Sequence, residues 1–303
     1  MKHLALKVDV DTLRGTREGV PRLVELLERR GAGATFLFSL GPDHTGRAIR
    51  RVFRRGFLRK VSRTSVVEHY GVRQLLYGTL LPGPDIGRRC GELMRRVAKG
   101  GFEVGIHSWD HVRWQDHVQR KDLAWTRREM QRAVNRFVEI FGLPPRTHGA
   151  AGWQMNSNAY RLEAEFRFDY CSDTRGAGPF LPVLDGTVVP CPQLPTTLPT
   201  LDELMGIEGM DADQCADYLL RLTADHPGAD HVYTLHAELE GMKLAKVFDY
   251  LLQGWRRQGY GLISMRTYFE TLDVTQLPRH AVTLGTVSGR SGTLALQGAV
   301  ATA

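Results

Sequence analysis

The sequence lacks paired cysteines and long apolar runs, and each absence excludes a class of protein. Its four cysteines form no CxxC pair and are widely separated: Cys90, Cys171, Cys191 and Cys215. This spacing argues against a disulfide framework or a thiolate zinc site and favours buried, reduced thiols. No run approaches the roughly 20 apolar residues that a membrane-spanning helix needs. No secretory signal precedes the strand-like segment that begins at His3, so a cytoplasmic protein is expected.

Strand signals alternate with helix signals along most of the 303 residues. Strands are predicted at 5–10, 35–38, 103–106, 168–172, 187–191 and 231–236, and helices at 17–30, 86–99, 122–141, 211–224 and 243–258. Gly31 and Gly142 follow two of these helices, where a glycine commonly ends a helix. The alternation predicts an α/β fold with a largely parallel sheet, open or closed into a barrel. Ligands in such folds bind where the strands end.

Two stretches stand apart from this alternation. Residues 41–85 form a long insertion after the second strand. Residues 275–303 drift into Gly, Ser, Thr and Ala with little periodicity, and a flexible tail is expected there. The catalytic domain is therefore predicted to span residues 1–274.

Two aspartates, Asp9 and Asp11, end the first predicted strand. Residues two apart on a strand point the same way, so both carboxylates could face one cavity. Like charges held together repel each other, and a bound cation relieves that cost. A turn capped by an aspartate is the ordinary alternative, and on these residues alone both interpretations stay open.

Histidines follow two later strands. His107 and His111 come directly after the strand at 103–106, and a spacing of four presents two imidazoles on one face of a helical turn. His236 ends the strand at 231–236. A lone histidine is usually structural, but the carboxyl ends of parallel strands converge on one face of the fold.

Asp11, His107 and His111 together form a triad with open positions, which suits zinc, cobalt, manganese or iron. A metal held in this way lowers the pKa of its bound water to near neutrality. Asp9 could then deprotonate that water, and His236 could protonate a leaving amine. These residues favour metal-dependent hydrolysis.

The motifs resemble those of the polysaccharide deacetylase (NodB-homology) superfamily. Paired aspartates after a strand, an H-(S/T)-x-x-H motif and a late L-x-H motif follow the superfamily's order between residues 4 and about 270. The resemblance implies a distorted (β/α)7-type barrel and the removal of acyl groups from amino sugars. It also implies Asp9 as base, His236 as acid, and a divalent metal on Asp11, His107 and His111.

Longer strings narrow the resemblance. The deformylases that act on undecaprenyl phosphate-linked 4-deoxy-4-formamido-L-arabinose are similar to this chain in VDVDTLRGTREGVPRL, FSLGPD, EVGIHSWDH, AAGW, SDTRGAGPF, LPTTLPT and YTLHAELEG. The resemblance implies hydrolysis of a formamide to formate and a free 4-amino sugar lipid, in the lipid A modification behind polymyxin resistance. It implies substrate contacts by Arg14, Trp153 and Glu238, and no obligate protein partner.

One departure from the superfamily concerns the arginine that orients the base. Residues 148–153 (HGAAGW) occupy that region, and no arginine lies in register. Arg14 or Arg175 is therefore predicted to supply the positive charge near Asp9. Asp173 is predicted to orient His236, as the superfamily's fourth-motif aspartate does, and a helix or turn cap is its alternative role.

Residues 47–63 within the insertion contain eight Lys or Arg and no acidic residue. Apolar residues recur there every fourth position, which predicts a basic amphipathic helix on the cytoplasmic face of the inner membrane. Each basic group near an anionic leaflet contributes about 1 kcal/mol. Contacts with the membrane or the lipid phosphate are predicted for Arg50, Arg51, Phe53, Arg54 and Phe57.

Several alternatives to these interpretations remain open. The basic helix could instead pack on the core with a solvated basic face, or bind nucleic acid, although no recognised nucleic-acid motif is present. The enzyme could be a deacetylase of another N-acylated amino sugar. A basic nucleic-acid- or membrane-binding protein with a structural metal is a further alternative, but structural zinc usually has four protein ligands and only three are evident.

Overall fold

The computed structural model describes residues 2–48, 76–226 and 228–301. Its strands are β1 (Lys2–Val10), β2 (Thr35–Ser39), β3 (Glu103–Ser108), β4 (Thr147–His148), β5 (Tyr170–Cys171), β6 (Leu181–Leu184), β7 (Thr187–Val188), β8 (His231–His236), β9 (Tyr260–Ile263), β10 (Arg279–Gly285) and β11 (Leu294–Val300). Its α-helices are α1 (Val20–Arg30), α2 (Ile86–Lys99), α3 (His111–His117), α4 (Leu123–Phe141), α5 (Ser157–Glu165), α6 (Leu201–Leu204), α7 (Ala212–Asp225), α8 (Ala245–Arg257) and α9 (Met265–Glu270). Single π-helical or 3₁₀ turns lie at Gly15–Gly19, Val118–Arg120, Ala151–Trp153, Ile207–Gly209, Leu239–Lys243 and Val274–Gln276.

Seven parallel strands form the central sheet, in the order β5-β4-β3-β2-β1-β8, with β9 added to β1. β9 pairs with the first half of β1, at residues 2–5, and β2 pairs with the second half, at residues 7–10. β8 pairs with β1 in a register that sets Asp9 beside His236. β1 and β2 are almost entirely buried, as expected for parallel strands covered by helices on their outer face.

An irregular segment, residues 193–198, fills the space between the end strands β5 and β8. On one side the backbone N–H of Leu194 donates to the carbonyl of Cys171, and on the other the N–H of Thr197 donates to the carbonyl of Val232. The sheet is therefore a barrel closed by a segment without regular pairing, and the predicted distorted (β/α)7-type barrel is confirmed.

Two long helices that pack on the sheet, α2 and α4, begin at residues that cap them. Asp85 and Asp122 accept backbone hydrogen bonds at the start of α2 and α4, and Gly142 ends α4 in a left-handed conformation at φ 71°. Their apolar faces join one large cluster of buried residues that includes the strands. This packing keeps the carboxyl ends of the strands in fixed relative positions.

The expected flexible tail, residues 275–303, is instead largely a β-hairpin. β10 and β11 pair antiparallel, and β10 also pairs with β6, so that β11, β10, β6 and β7 form a second sheet. A bulge between His280 and Val282 and several glycines interrupt the alternation of apolar residues. That interruption explains why the sequence pattern is weak although the strands form.

Residues 49–75 lie outside the described residues. They include most of the basic helix predicted at 47–63, with Arg50, Arg51, Phe53, Arg54 and Phe57. Within the described ranges, no helix is both long and apolar enough to cross a membrane.

Candidate active site

Asp11, His107 and His111 meet at the carboxyl ends of β1 and β3. Oδ1 of Asp11 lies 3.1 Å from Nε2 of His107 and 3.4 Å from Nε2 of His111, and the two imidazole centroids are 5.3 Å apart. These three residues form one of two groups in the described part of the chain whose donor atoms could surround a metal ion.

The two histidines do not lie on one helical turn, as the spacing had predicted. His107 is still part of strand β3, and His111 is the first residue of α3. Asp110 caps α3 by accepting from the N–H of Arg113. A strand-to-helix turn therefore brings the imidazoles together.

The donor atoms of this group fit a cation. Nδ1 of His107 donates to the carbonyl of Gly149 at 2.6 Å, which leaves the lone pair of Nε2 directed at Asp11. Oδ1 of Asp11 is buried and accepts no hydrogen bond from any described residue. Burial alone would raise the pKa of Asp11, but His111 and His107 hold it well below its usual value. The site thus keeps a carboxylate and an imidazole acceptor facing each other, an arrangement that a divalent cation satisfies.

Lys7 supplies the positive charge beside Asp9. Its side chain is fully buried in β1, its Nζ lies 3.5 Å from Oδ2 of Asp9, and it donates to the carbonyl of Ser172 at 2.9 Å. The sequence predicted Arg14 or Arg175 for this position. Arg14 instead pairs with Glu18, and Arg175 is buried against Glu203. Lys7 and Asp9 share one side of β1 because strand side chains alternate, and that alternation was the signal for Lys7.

His236 ends β8 directly beside Asp9. Its backbone N–H donates to Oε2 of Glu240 at 2.9 Å, which fixes the end of the strand. Its side chain is 13% exposed, so one edge of the imidazole can reach a ligand in the cleft. The base and acid predicted from the sequence therefore lie on neighbouring strands, at the edge of the group that could hold a metal.

Glu238 was predicted to contact substrate. It instead accepts hydrogen bonds from the loop that carries Asp11. Its buried Oε1 accepts from the N–H of Asp11 at 3.1 Å, and from the N–H and hydroxyl of Thr12 at 2.9 and 2.7 Å. Gly15 passes so close that a Cβ at that position would lie 1.9 Å from Oε1 of Glu238. A side chain at residue 15 would displace the Glu238 carboxylate from these hydrogen bonds, which accounts for the glycine at this position.

Trp153, predicted to contact substrate, is only 1% exposed. Three cations surround its ring: the guanidinium of Arg290 lies 4.7 Å from the ring centroid, that of Arg175 lies 5.1 Å away, and Nζ of Lys7 lies 5.2 Å away. The indole therefore acts as a buried packing surface for these side chains.

Asp173 does not approach His236 as predicted. It contacts Nδ1 of His148 at 2.8 Å and accepts from the N–H of Ala150 at 2.7 Å. His148 also contacts Glu163 at 3.0 Å, and Gln193 donates to both carboxylates. His148, Glu163, Asp173 and Cys171 form the second group that could hold a metal. Unlike the first group it is fully buried, and its carboxylates already accept hydrogen bonds from the chain.

The charge of His148 predicts a dependence of stability on pH. Burial alone would lower its pKa, but Asp173 and Glu163 raise it to about 9. The folded state therefore keeps a proton that the unfolded chain releases near 6.5, so this contribution is complete below that pH and is lost as the pH rises through 9. We expect the free energy of unfolding to fall by up to about 3 kcal/mol over this interval.

Denaturant unfolding at several pH values measures this effect. His148→Gln should be less stable at neutral pH and should lose most of the slope between pH 6.5 and 9. The exposed His226→Gln is the matched control and should keep the slope. Equal slopes in His148→Gln and the original protein would contradict the assignment.

Comparison with known proteins gives three consistent similarities. The family model for polysaccharide deacetylase matches residues 2–164. Two relatives are named probable 4-deoxy-4-formamido-L-arabinose-phosphoundecaprenol deformylase ArnD. The one from Shewanella sediminis is 34% identical over 97% of this chain and 94% of the relative. The one from Wigglesworthia glossinidia brevipalpis is 31% identical over 93% of this chain and 98% of the relative. The crystal structure of a candidate polysaccharide deacetylase from Mycobacterium smegmatis superposes with a TM-score of 0.63 at 17% identity, covering 94% of this chain and 96% of that one.

Proposed function

The chain belongs to the polysaccharide deacetylase family and is a hydrolase of linear amide bonds, and we propose that it deformylates a lipid-linked amino sugar. The proposed substrate is undecaprenyl phosphate-linked 4-deoxy-4-formamido-L-arabinose, and the products are formate and the free 4-amino sugar lipid. The names of the two deformylase relatives, similar over nearly the whole chain, support this choice. The product would serve lipid A modification and polymyxin resistance.

The observation that carries the proposal is the group Asp11, His107 and His111 with Asp9 and His236 at its edge. We propose that the three residues hold a divalent cation, with zinc, cobalt or manganese as candidates. Bound there, a divalent cation supplies Lewis acidity toward the formyl oxygen and acidifies water. Three protein ligands leave open positions for water and substrate, as hydrolytic sites require.

The chain's own residues then move two protons. Lys7 orients Asp9 through its oxygen Oδ2. The other oxygen of Asp9, Oδ1, has no hydrogen-bond partner among the described residues and accepts the proton of the attacking water. His236 donates a proton to the sugar nitrogen as the C–N bond breaks. Water and amide become formate and amine, so each proton taken up at Asp9 is matched by one delivered at His236.

Formate release from the lipid-linked formamido sugar tests the proposed function. We expect metal-dependent release that chelator treatment abolishes and that added zinc, cobalt or manganese restores. The acetamido analogue is the matched substrate, and turnover of that analogue without turnover of the formamide would favour a deacetylase of another amino sugar. Metal binding without hydrolysis of either substrate would favour a structural metal in a basic binding protein.

We also propose that residues 47–63 hold the enzyme on the inner membrane surface, where a polyprenyl-linked substrate resides. The composition supports this proposal, because eight basic residues and no acid accompany regularly spaced apolar residues. Replacing Arg50, Arg51 and Arg54 with glutamine should reduce sedimentation with anionic vesicles at least tenfold. The matched control replaces three arginines of α2 with glutamine and should still sediment: Arg88, Arg89 and Arg96. Equal loss in both triple variants would indicate that only net charge matters.

A further inference from the structure

The loop between β10 and β11 brings Arg290 to the rim of the catalytic cleft. Its side chain is only 14% exposed, and it contacts two consecutive carboxylates on α6: Nη2 lies 3.2 Å from Oδ1 of Asp202, and Nε lies 2.9 Å from Oε1 of Glu203. The guanidinium also packs over the ring of Trp153. Gly289 allows this approach, because a Cβ there would lie 2.1 Å from the carbonyl oxygen of Glu203.

Asp202 in turn faces the imidazole of His236. Oδ1 of Asp202 lies 3.9 Å from Nδ1 of His236, and the two side chains are 15% and 13% exposed. Nδ1 is buried and has no hydrogen-bond partner among the described residues. The same carboxylate oxygen accepts from the hydroxyl of Thr200 at 2.5 Å, which limits its rotation. Catalytic hydrogen bonds are often long without substrate and shorten in the complex.

Other charged groups near His236 do not reach Nδ1 in the described structure. Glu240 is occupied by the backbone N–H of His236 and by the hydroxyl of Tyr233. Asp173, the residue expected from the sequence, is held by His148. Asp11 is directed at His107 and His111. Asp202 is thus the carboxylate aimed at the inner nitrogen of the imidazole.

We propose that Asp202 is the positioning residue of His236 and that Arg290, from the C-terminal hairpin, fixes Asp202 in that role. A carboxylate accepting from Nδ1–H selects the tautomer and orientation in which Nε2 faces the cleft, and it stabilises the imidazolium that donates the proton. Arg290 pairs with Asp202 and prevents it from turning away. The inference rests on the proposed function only for the direction of the proton transfer.

The kinetics of variants at Asp202 and Arg290 test this proposal. Asp202→Asn should lower kcat for formate release about a hundredfold with less than a threefold change in KM, because the fault lies in proton donation. Asp202→Glu should recover to within tenfold, Arg290→Gln should lose about tenfold, and Arg290→Lys should lose less. Asp185→Asn, which breaks an exposed ion pair with Arg161, is the control and should have no effect. A kcat within threefold of the original in Asp202→Asn would overturn the proposal.

Nitrogen NMR of His236 in the zinc-loaded full chain gives a readout that does not depend on activity. The original protein should carry the proton on Nδ1, and Asp202→Asn should lose this preference without loss of bound zinc. An unchanged tautomer would also overturn the proposal. If the protein releases no formate from the formamido lipid but Asp202→Asn still alters the tautomer, the proposed function fails and the positioning role stands.

Discussion

Replacing Asp9 with asparagine should lower kcat for formamide hydrolysis about a thousandfold and leave the affinity for a divalent cation within a few-fold of its original value. Asparagine keeps the shape of the side chain but cannot accept the proton of the attacking water, and general-base catalysis contributes about 10² to 10⁴ in rate. Asp9 is not one of the three residues whose donor atoms surround the candidate cation position. Formate release and zinc titration on the same preparation measure the two quantities.

Asp11→Asn is the matched variant, two residues further along the chain and just beyond the end of β1. It should lose at least tenfold in cation affinity, because Oδ1 of Asp11 is the oxygen that faces both histidines. Its activity should return in part at high cation concentration, whereas that of Asp9→Asn should not. If both variants lost the cation to the same degree, Asp9 would be a ligand and the assignment of the base would be wrong.

Replacing Lys7 with methionine should lower kcat about a hundredfold. Lys7 is the cation next to Asp9, and without it the carboxylate loses its charge partner and is free to rotate. Breaking a buried ion pair on one side also costs about 3 to 5 kcal/mol of folding stability, so the measurement is made well below the melting temperature of the variant.

Lys7→Arg separates the catalytic effect from a structural one. Arginine keeps the charge and can still donate to the carbonyl of Ser172, so we expect activity within about tenfold of the original. A folded Lys7→Met protein with an unchanged kcat would mean that Lys7 only fills space in the barrel.

Those parts of the fold and site that depend on local sequence could be predicted. Helix α2 is expected at 86–99 and observed at Ile86–Lys99, because Asp85 caps its start and apolar residues recur on one face. Asp11, His107 and His111 could be grouped because each lies at or just after the end of a strand, and parallel strands end at one face. Lys7 was within reach of the same reasoning, since it is two residues before Asp9 on the same strand.

The residues that orient the acid could not be predicted in this way. Asp173 follows β5, and Asp202 lies in the short helix α6. Nothing in the sequence decides which of the two carboxylates turns toward His236. That choice depends on His148, which binds Asp173, and on Arg290, which comes from a hairpin whose alternation is broken by a bulge and glycines. Such pairings are set by tertiary packing, which spacing along the chain does not record.

The hairpin has a consequence for the order in which the enzyme matures during biosynthesis. Residues 279–300 emerge from the ribosome after every strand of the barrel and after Asp9, Asp11, His107, His111 and His236. A nascent chain therefore contains every strand of the barrel while Asp202 still lacks the contact with Arg290. The proposed positioning of His236 is then the last part of the site to be completed during synthesis.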